Sequence, residues 1–271
     1  MPDKSLITLV IPYFNEADFI GATLSSISAQ TDRRFRLILV DNGSDDGSER
    51  IARTVCDTMP DIDATFLRES LPGKINALIT GTASIETPYF STLDADTIYP
   101  SNYVELALGL FDRNPDASCV LAFGLGSQKR SRFQRAKLHI FSLLLPRKCH
   151  TGGYAQVFRS TAFKSAGGFD VSRWPYVLED HEIVFRLLER GPLIYNPGFV
   201  CFPSDRRQDR SDCSWNLAER VIYKLIPSAG LDWFFYRFLG PRLDRRGLNN
   251  LRLRDRAWQA KQAEVQTQSG R

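Results

Sequence analysis

Short apolar runs alternate with helically spaced apolar positions through the first half of the chain. Residues 6–11, Leu-Ile-Thr-Leu-Val-Ile, form an unbroken run halted by Pro12. Such a run, without polar alternation, predicts a strand buried on both faces, as in a parallel sheet. Behind Asn15-Glu16-Ala17-Asp18, Ile20, Leu24 and Ile27 recur at helical intervals, which predicts a first helix. Residues 35–40 repeat the strand pattern and end in Asp41-Asn42-Gly43-Ser44-Asp45-Asp46-Gly47-Ser48, a loop of turn formers. Asp46 or Ser48 is placed to cap the next helix, whose apolar face is Ile51, Val55 and Met59. Residues 64–67, 74–83, 89–93 and 101–111 continue as strand, helix, strand and helix. That order is α/β with a mostly parallel central sheet, and ligands then bind beyond the carboxyl ends of the strands.

One such end carries Leu93-Asp94-Ala95-Asp96. Residues two apart in an extended chain project to the same side, so both carboxylates are expected to converge. They repel unless a cation or hydrogen-bond donors lie between them. Hard divalent cations such as Mg²⁺ or Mn²⁺ favour oxygen ligands and use one or two carboxylates together with substrate phosphates. Asp41 ends another strand of the same sheet, so two acidic loops share one rim. The dinucleotide-binding alternative fails: Pro12-Tyr13-Phe14-Asn15-Glu16 has no glycine where GxGxxG belongs, and Gly124 and Gly126 come too late. A Walker loop is also missing.

Composition adds limits. The 271 residues are 43% hydrophobic and 24% charged, ordinary for a soluble globular chain with a sizeable core. No apolar run approaches the ~20 residues of a bilayer span. The start, Met1-Pro2-Asp3-Lys4, lacks a signal-peptide pattern. Five cysteines without CxxC spacing favour reduced thiols, not disulfides or structural zinc, and a cytoplasmic setting is expected. The net charge of +4 is uneven: residues 203–256 hold twelve Lys/Arg against seven Asp/Glu. Residues 1–202 are close to neutral overall, and nothing indicates a nucleic-acid partner.

The ordered blocks resemble the GT-A-fold glycosyltransferases of family 2, which use nucleotide-sugar donors. They are Val10-Ile11-Pro12-Tyr13-Phe14-Asn15-Glu16, the Asp41–Ser48 loop, Gly73-Lys74 with Ala77 and Gly81, Asp94-Ala95-Asp96, Gly167-Gly168-Phe169-Asp170 and Glu179-Asp180. Together they run from residue 6 to about residue 192. The resemblance implies a nucleotide-sugar-binding half at 1–112 and an acceptor half at 113–202, one GT-A domain over 1–202. A basic, aromatic C-terminal extension follows at 203–258, packing on the domain, with a disordered tail at 259–271.

The resemblance also implies roles. Asp41 would accept the N3–H of uracil, which favours a UDP-linked sugar. Phe14 would stack on the base, where Tyr is more usual, and Pro12 and Glu16 would wall the pocket. Asp94 would face the ribose and Asp96 a divalent metal bridging the diphosphate. Lys74 would add positive charge, a solvated helix-start lysine being the alternative. Ile79 stands where the family often has Asn, a departure that touches a sugar contact. Asp180 would be the general base on the acceptor hydroxyl, supported by Glu179; one base opposite the leaving group implies single displacement with inversion. The bland reading of both acids is capping of the helix that follows, whose apolar face is Ile183, Val184, Leu187 and Leu188. His181 directly follows the proposed base and is read as an exposed helix residue, with tuning of that base as the alternative. Gly152 and Gly153 resemble the small-residue turn that lines the acceptor and sugar pocket.

In the extension, Arg206, Arg207 and Arg210 are candidate contacts to the donor diphosphate, with a solvated loop as the alternative. Residues 231–239, Leu-Asp-Trp-Phe-Phe-Tyr-Arg-Phe-Leu, are flanked by Arg242, Arg245 and Arg246. Clustered aromatics beside cations suit a peripheral contact with the cytoplasmic membrane face, or an apolar cap on the core. The expected acceptor is a hydroxyl of a lipid, a lipid-linked saccharide or a cell-envelope glycan. A sugar-phosphate nucleotidyltransferase would need a glycine-rich basic loop after the first strand, which is missing. A degenerate binding domain without turnover is the remaining alternative, and retention of Asp96 and Asp180 argues against it.

Overall fold

The computed structural model describes residues 5–126, 131–204 and 214–250, and of residues 131 and 132 only the backbone. Arg206, Arg207, Arg210 and the tail at 259–271 lie outside the described residues. The predicted α/β order holds through β1 (Ile7–Tyr13), α1 (Ala17–Ser28), β2 (Phe35–Asp41), α2 (Ser48–Cys56), β3 (Ala64–Arg68), α3 (Lys74–Ala83), β4 (Tyr89–Leu93) and α4 (Tyr103–Arg113), with an unpredicted two-residue strand, β5 (Thr97–Ile98), between the last two. Then come β6 (Cys119–Gly124), α5 (Ser131–Leu144), β7 (Ala155–Arg159), α6 (Ser160–Ser165), α7 (Glu179–Leu187), β8 (Leu193–Pro203), α8 (Leu217–Leu225), a π-helical stretch (Trp233–Leu239) and α9 (Gly240–Arg245).

One sheet runs in the order β3-β2-β1-β4-β7-β6-β8-β5. The first four strands are parallel, and β7 enters antiparallel between β4 and β6. Pro12 does not halt β1, which continues to Tyr13. The Tyr13 carbonyl accepts from Asn42 N–H on the β2 side, so the adjacent residue faces β4. Pairing with β4 has already ended at Val10 opposite Thr92, and the missing N–H of Pro12 breaks no ladder bond.

Apolar side chains cover both faces of the sheet. Ile20, Leu24 and Ile27 of α1 join Ala52 of α2 and Val104, Leu108 and Phe111 of α4 on one face. Ala77 of α3, Phe163 of α6 and Ile183, Val184 and Leu187 of α7 close the other. Close approach of α3 to the sheet needs Gly81, where a Cβ would come within 2.6 Å of Val10 and 2.9 Å of Val40. Gly81→Ala is expected to cost about 1–3 kcal/mol by overpacking, read as a lower urea midpoint. An unchanged midpoint would mean that α3 lifts off without cost.

The C-terminal helices form their own cluster over α7. Phe234, Phe235 and Leu239 are fully buried beside Trp174 and Tyr223, and Phe185 of α7 stacks on Phe235 at 5.3 Å. Of the two readings of 231–239, packing on the core accounts for these residues, with Trp233 on the exposed side. Arg242 and Arg246 are committed inward, to the buried Glu219 at 3.0 and 2.9 Å. Glu219 also closes a capping box with Asn216 at the start of α8. Among the described residues no helix is long and apolar enough to cross a membrane.

Candidate active site

The site is built on the carboxyl ends of β1, β2 and β4. Much of the polar Asp41–Ser48 loop is used to lock neighbouring turns. Asn15, in left-handed backbone at φ 52°, donates its amide N–H to Ser44 Oγ at 3.1 Å and its side-chain NH₂ to Asp45 at 2.9 Å. Asp46 receives Ala17 N–H at 2.8 Å and Ser48 N–H at 3.0 Å, so one carboxylate serves the first turns of both α1 and α2. Asn42 donates to the carbonyls of Glu69 and Leu71 and accepts Gly73 N–H at 2.8 Å, pinning the turn that launches Lys74. Gly73 has φ 118°, and a Cβ there would collide with Asn250.

Asp41 is 3% exposed and accepts Ser44 N–H at 2.9 Å on one oxygen. It thus forms the local turn and sits at the rim with buried Pro12 and half-buried Phe14 and Glu16.

Asp94 and Asp96 depart from the geometry expected of them. The strand ends at Leu93, and residues 94–96 turn into β5, so the carboxylates are not aligned by an extended backbone. Tyr99 OH accepts Asp94 N–H at 3.0 Å and donates to Tyr154 O at 2.7 Å, which holds the turn. Thr23 Oγ1 donates to Ala95 O at 2.8 Å. The two side chains then have separate partners. Asp94 binds Lys74 Nζ at 2.8 Å, whereas Asp96, 6% exposed, receives Ser204 Oγ at 3.0 Å.

Among the described residues no three His, Cys, Asp or Glu side chains are grouped as a metal cage. The carboxylates of Asp94 and Asp96 offer oxygen only. That donor set fits Mg²⁺ or Mn²⁺, which complete their shells with water and phosphate oxygens, and does not suit zinc.

Lys74 is the centre that draws distant residues together. Its ammonium lies 2.8 Å from Asp94 and 3.5 Å from Glu179. Gly153 lies against it and Asp180: a Cβ at Gly153 would sit 3.2 Å from Asp180 Cβ and 3.3 Å from Lys74 Nζ. Thr92 Oγ1 holds the Gly153 carbonyl at 3.1 Å. Gly152 has a different need, since its Cβ would press on the Tyr154 ring at 2.5 Å. Four segments far apart in sequence therefore meet at one glycine.

Capping does not account for Glu179 and Asp180. The residue before α7, Leu178, is in left-handed backbone, and no side chain caps that helix. Asp180 instead accepts His181 N–H at 2.9 Å and faces His181 Nδ1 at 3.0 Å, which requires the proton on Nδ1. Gln156 Nε2 holds the Asp180 carbonyl at 3.2 Å.

His181 is not exposed as expected. It is 9% exposed, with Trp215 and Tyr223 edge-on at 4.7 and 5.9 Å. Helical spacing could not reveal this, because the covering rings arrive from α8 (Tyr223) and the segment just before it (Trp215).

The charges bias the two acids in opposite directions. Burial pushes the Asp180 carboxyl up, but His181 and then Lys74 outweigh it and hold the group below the usual carboxylate range. Burial pushes Glu179 up, Lys74 pulls it back, and the adjacent Asp180 charge adds to the rise, leaving it above that range. Burial alone would lower Lys74; Asp94 and Glu179 reverse this and raise it. The result is an ionised acid beside a more readily protonated one, with a permanent cation between them and Asp94. A group kept ionised at neutral pH and fixed in orientation is suited to accepting a proton.

A family model described as Glycosyl transferase family 2 matches residues 8–173. An uncharacterized glycosyltransferase of Rickettsia typhi is 28% identical over 203 residues, covering 70% of this chain and 61% of that protein. A poly-beta-1,6-N-acetyl-D-glucosamine synthase of Staphylococcus aureus is 26% identical over 204 residues, covering 72% of this chain and 49% of its own. The chain thus spans only about half to three-fifths of the length of these relatives. Among solved structures, a mannosyltransferase of Pyrobaculum calidifontis in complex with GDP-Man and Mn²⁺ superposes with TM-score 0.66 at 19% identity. The match covers 89% of this chain and 70% of that one, and shows that the fold is shared.

Proposed function

Since the chain belongs to glycosyl transferase family 2, we propose that it moves a sugar from a nucleoside-diphosphate sugar, the nucleoside being uridine, to an acceptor hydroxyl with inversion. The observation that carries the reading is the convergence of Asp94, Lys74, Glu179 and Asp180 around Gly153. It joins the donor end of β4 to an ionised carboxylate at the start of α7.

In this reading Phe14 stacks on the base, and Asp41 accepts the uracil N3–H on the oxygen not engaged by Ser44. Pro12 and Glu16 wall that pocket, and Asp94 faces the ribose. Asp96 would hold a bound Mg²⁺ or Mn²⁺, which supplies neutralisation of the diphosphate as it leaves. Lys74 adds a fixed positive charge on the same side. Asp180 takes the proton from the acceptor hydroxyl as its oxygen attacks the anomeric carbon from the face opposite the diphosphate, and Gly152 and Gly153 let the acceptor approach. Arg206, Arg207 and Arg210 are candidate diphosphate contacts. The polysaccharide-synthase relative supports a glycan acceptor, free or lipid-linked.

A donor panel tests this reading, with nucleotide release followed in the presence and absence of Mn²⁺. Release is expected from uridine sugars in preference to guanosine sugars, because guanine presents two adjacent donors, N1–H and its exocyclic amine, and Asp41 has one oxygen not engaged by Ser44 to receive them. Asp96→Ala should remove the Mn²⁺-dependent part of donor affinity and leave the metal-free part. Guanosine-only release sinks the base assignment, and Mn²⁺-dependent binding that survives in Asp96→Ala sinks the metal assignment.

A further inference from the structure

Two neighbouring helices each turn an apolar stripe outward. On α5, Phe133, Ile140, Leu143 and Leu144 are 81%, 55%, 67% and 69% exposed. Three of them, Phe133, Ile140 and Leu144, follow one line of the helix, with Lys137 exposed among them. On α8, Leu217, Val221 and Leu225 recur every four residues at 78%, 46% and 78% exposure. Arg220 and Lys224 border that stripe and are exposed as well. The helices are adjacent: Lys224 Nζ lies 4.5 Å over the Phe141 ring, and Lys148 Nζ, four residues past α5, donates to the Ile226 carbonyl just beyond α8 at 2.8 Å. Large side chains lined up at such exposure are unusual for a surface with no partner.

Charge identifies the partner. Residues 127–153 contain seven Lys/Arg and no Asp or Glu, a bias hidden by the near-neutral average of residues 1–202; Lys137 and Arg147 are exposed, whereas Lys148 is turned inward to Ile226. The acid nearest the α8 stripe, Glu219, is buried and neutralised by Arg242 and Arg246. Leucine and phenylalanine stripes rimmed by cations match a bilayer interface, where apolar side chains enter the acyl boundary and lysines meet anionic headgroups.

We propose that α5 and α8 together form a docking surface for an anionic lipid membrane. The surface is coupled to the catalytic end of the fold. Tyr223, on the inner side of α8, accepts Cys149 N–H at 2.8 Å and packs with Trp215 against His181, the residue that orients Asp180. The chain leaving α5 leads through Cys149 to Gly153. A membrane held on the outer stripes therefore borders the acceptor side of the site and favours acceptors presented at a lipid surface. The surface stands on its own observations and does not depend on the identity of the donor.

Co-sedimentation with phosphatidylcholine vesicles, with and without phosphatidylglycerol, tests the proposal. The full chain is expected to bind the phosphatidylglycerol vesicles at low salt, weakly or not at all the neutral ones, and to be released as salt rises. Leu143→Gln with Leu144→Gln, and separately Leu217→Gln with Leu225→Gln, should each weaken binding by on the order of tenfold or more. The side chains are exposed, so thermal unfolding should be unchanged. Absence of binding by the native chain, or full binding by both variants, overturns the proposal. So does a lipid-free dimer that both variants dissociate, which would make the face a contact between copies.

Discussion

Asp180→Asn is expected to bind the nucleotide sugar as the native chain does and to lose about 10²–10⁴-fold in kcat. The substitution keeps the size and the oxygen that accepts His181 N–H, so the turn into α7 is preserved. It removes the only property the reaction needs there, an ionised carboxylate able to take a proton. Glu179 is a poor substitute, because it is engaged by Lys74 at 3.5 Å and its carboxyl is biased towards the protonated form. Turnover by nucleotide release and donor affinity by calorimetry separate the outcomes. Turnover within a few fold of native removes Asp180 as the base; loss of donor binding would point to a collapsed pocket. The pH profile adds a second check. A base must be deprotonated to act, so kcat/KM falls as pH drops through its pKa. His181 and Lys74 hold that pKa below the usual carboxylate range, so no decline from Asp180 is expected between neutral pH and that range.

The fold and the site were legible to different depths. The β1–β4 half is legible because β1, β2 and β4 are buried on both faces and each helix supplies one apolar stripe; β3, at the sheet edge, is only half-buried. Beyond it, two features defeated periodicity. In β8 the Asn196-Pro197-Gly198 stretch carries a turn signal, with the Asn196 side chain accepting Gly198 N–H at 2.7 Å, and the pairing with β6 shifts register between Leu121 and Phe123. The insertion of antiparallel β7 between β4 and β6 is a long-range choice with no local trace. Among the site residues, the acids were visible as motif positions, but their partners were not. Asp94 and Asp96 looked like a matched pair and are separated by a turn, one towards Lys74 and the other towards Ser204. By contrast, the turn-forming character read for the loop after β2 holds: Asn42, Asp45 and Asp46 fix turns and helix starts. For His181 the contact with the base matches one of its two readings, but its burial has no local trace, because Trp215 and Tyr223 supply it from some forty residues away in the chain.

Lys74→Met is expected to cost about 2–4 kcal/mol of folding stability. That is slightly less than the ~3–5 kcal/mol for breaking a fully buried pair, because a third of the Lys74 side chain is exposed. Methionine keeps much of the lysine stem, so packing is largely retained and the loss is electrostatic. Without the ammonium, Asp94 and Glu179, 17% and 13% exposed, lose the cation that both bind beside Asp180. The native contribution has a defined pH window. Lys74 is raised above its ordinary value of ~10.4, so its stabilisation is fully present below that pH and fades only as pH climbs through the raised value. Neutral solution lies on this plateau. In Lys74→Met the Glu179 carboxyl, already above its ordinary range, loses the cation that pulls it back, so the folded state binds more protons there than the unfolded chain and stability increases as pH falls. The difference between native and variant urea midpoints should therefore shrink from about pH 7.5 to about pH 5. A deficit of the same size at both pH values would assign the loss to packing and remove Lys74 as the counter-charge of the site.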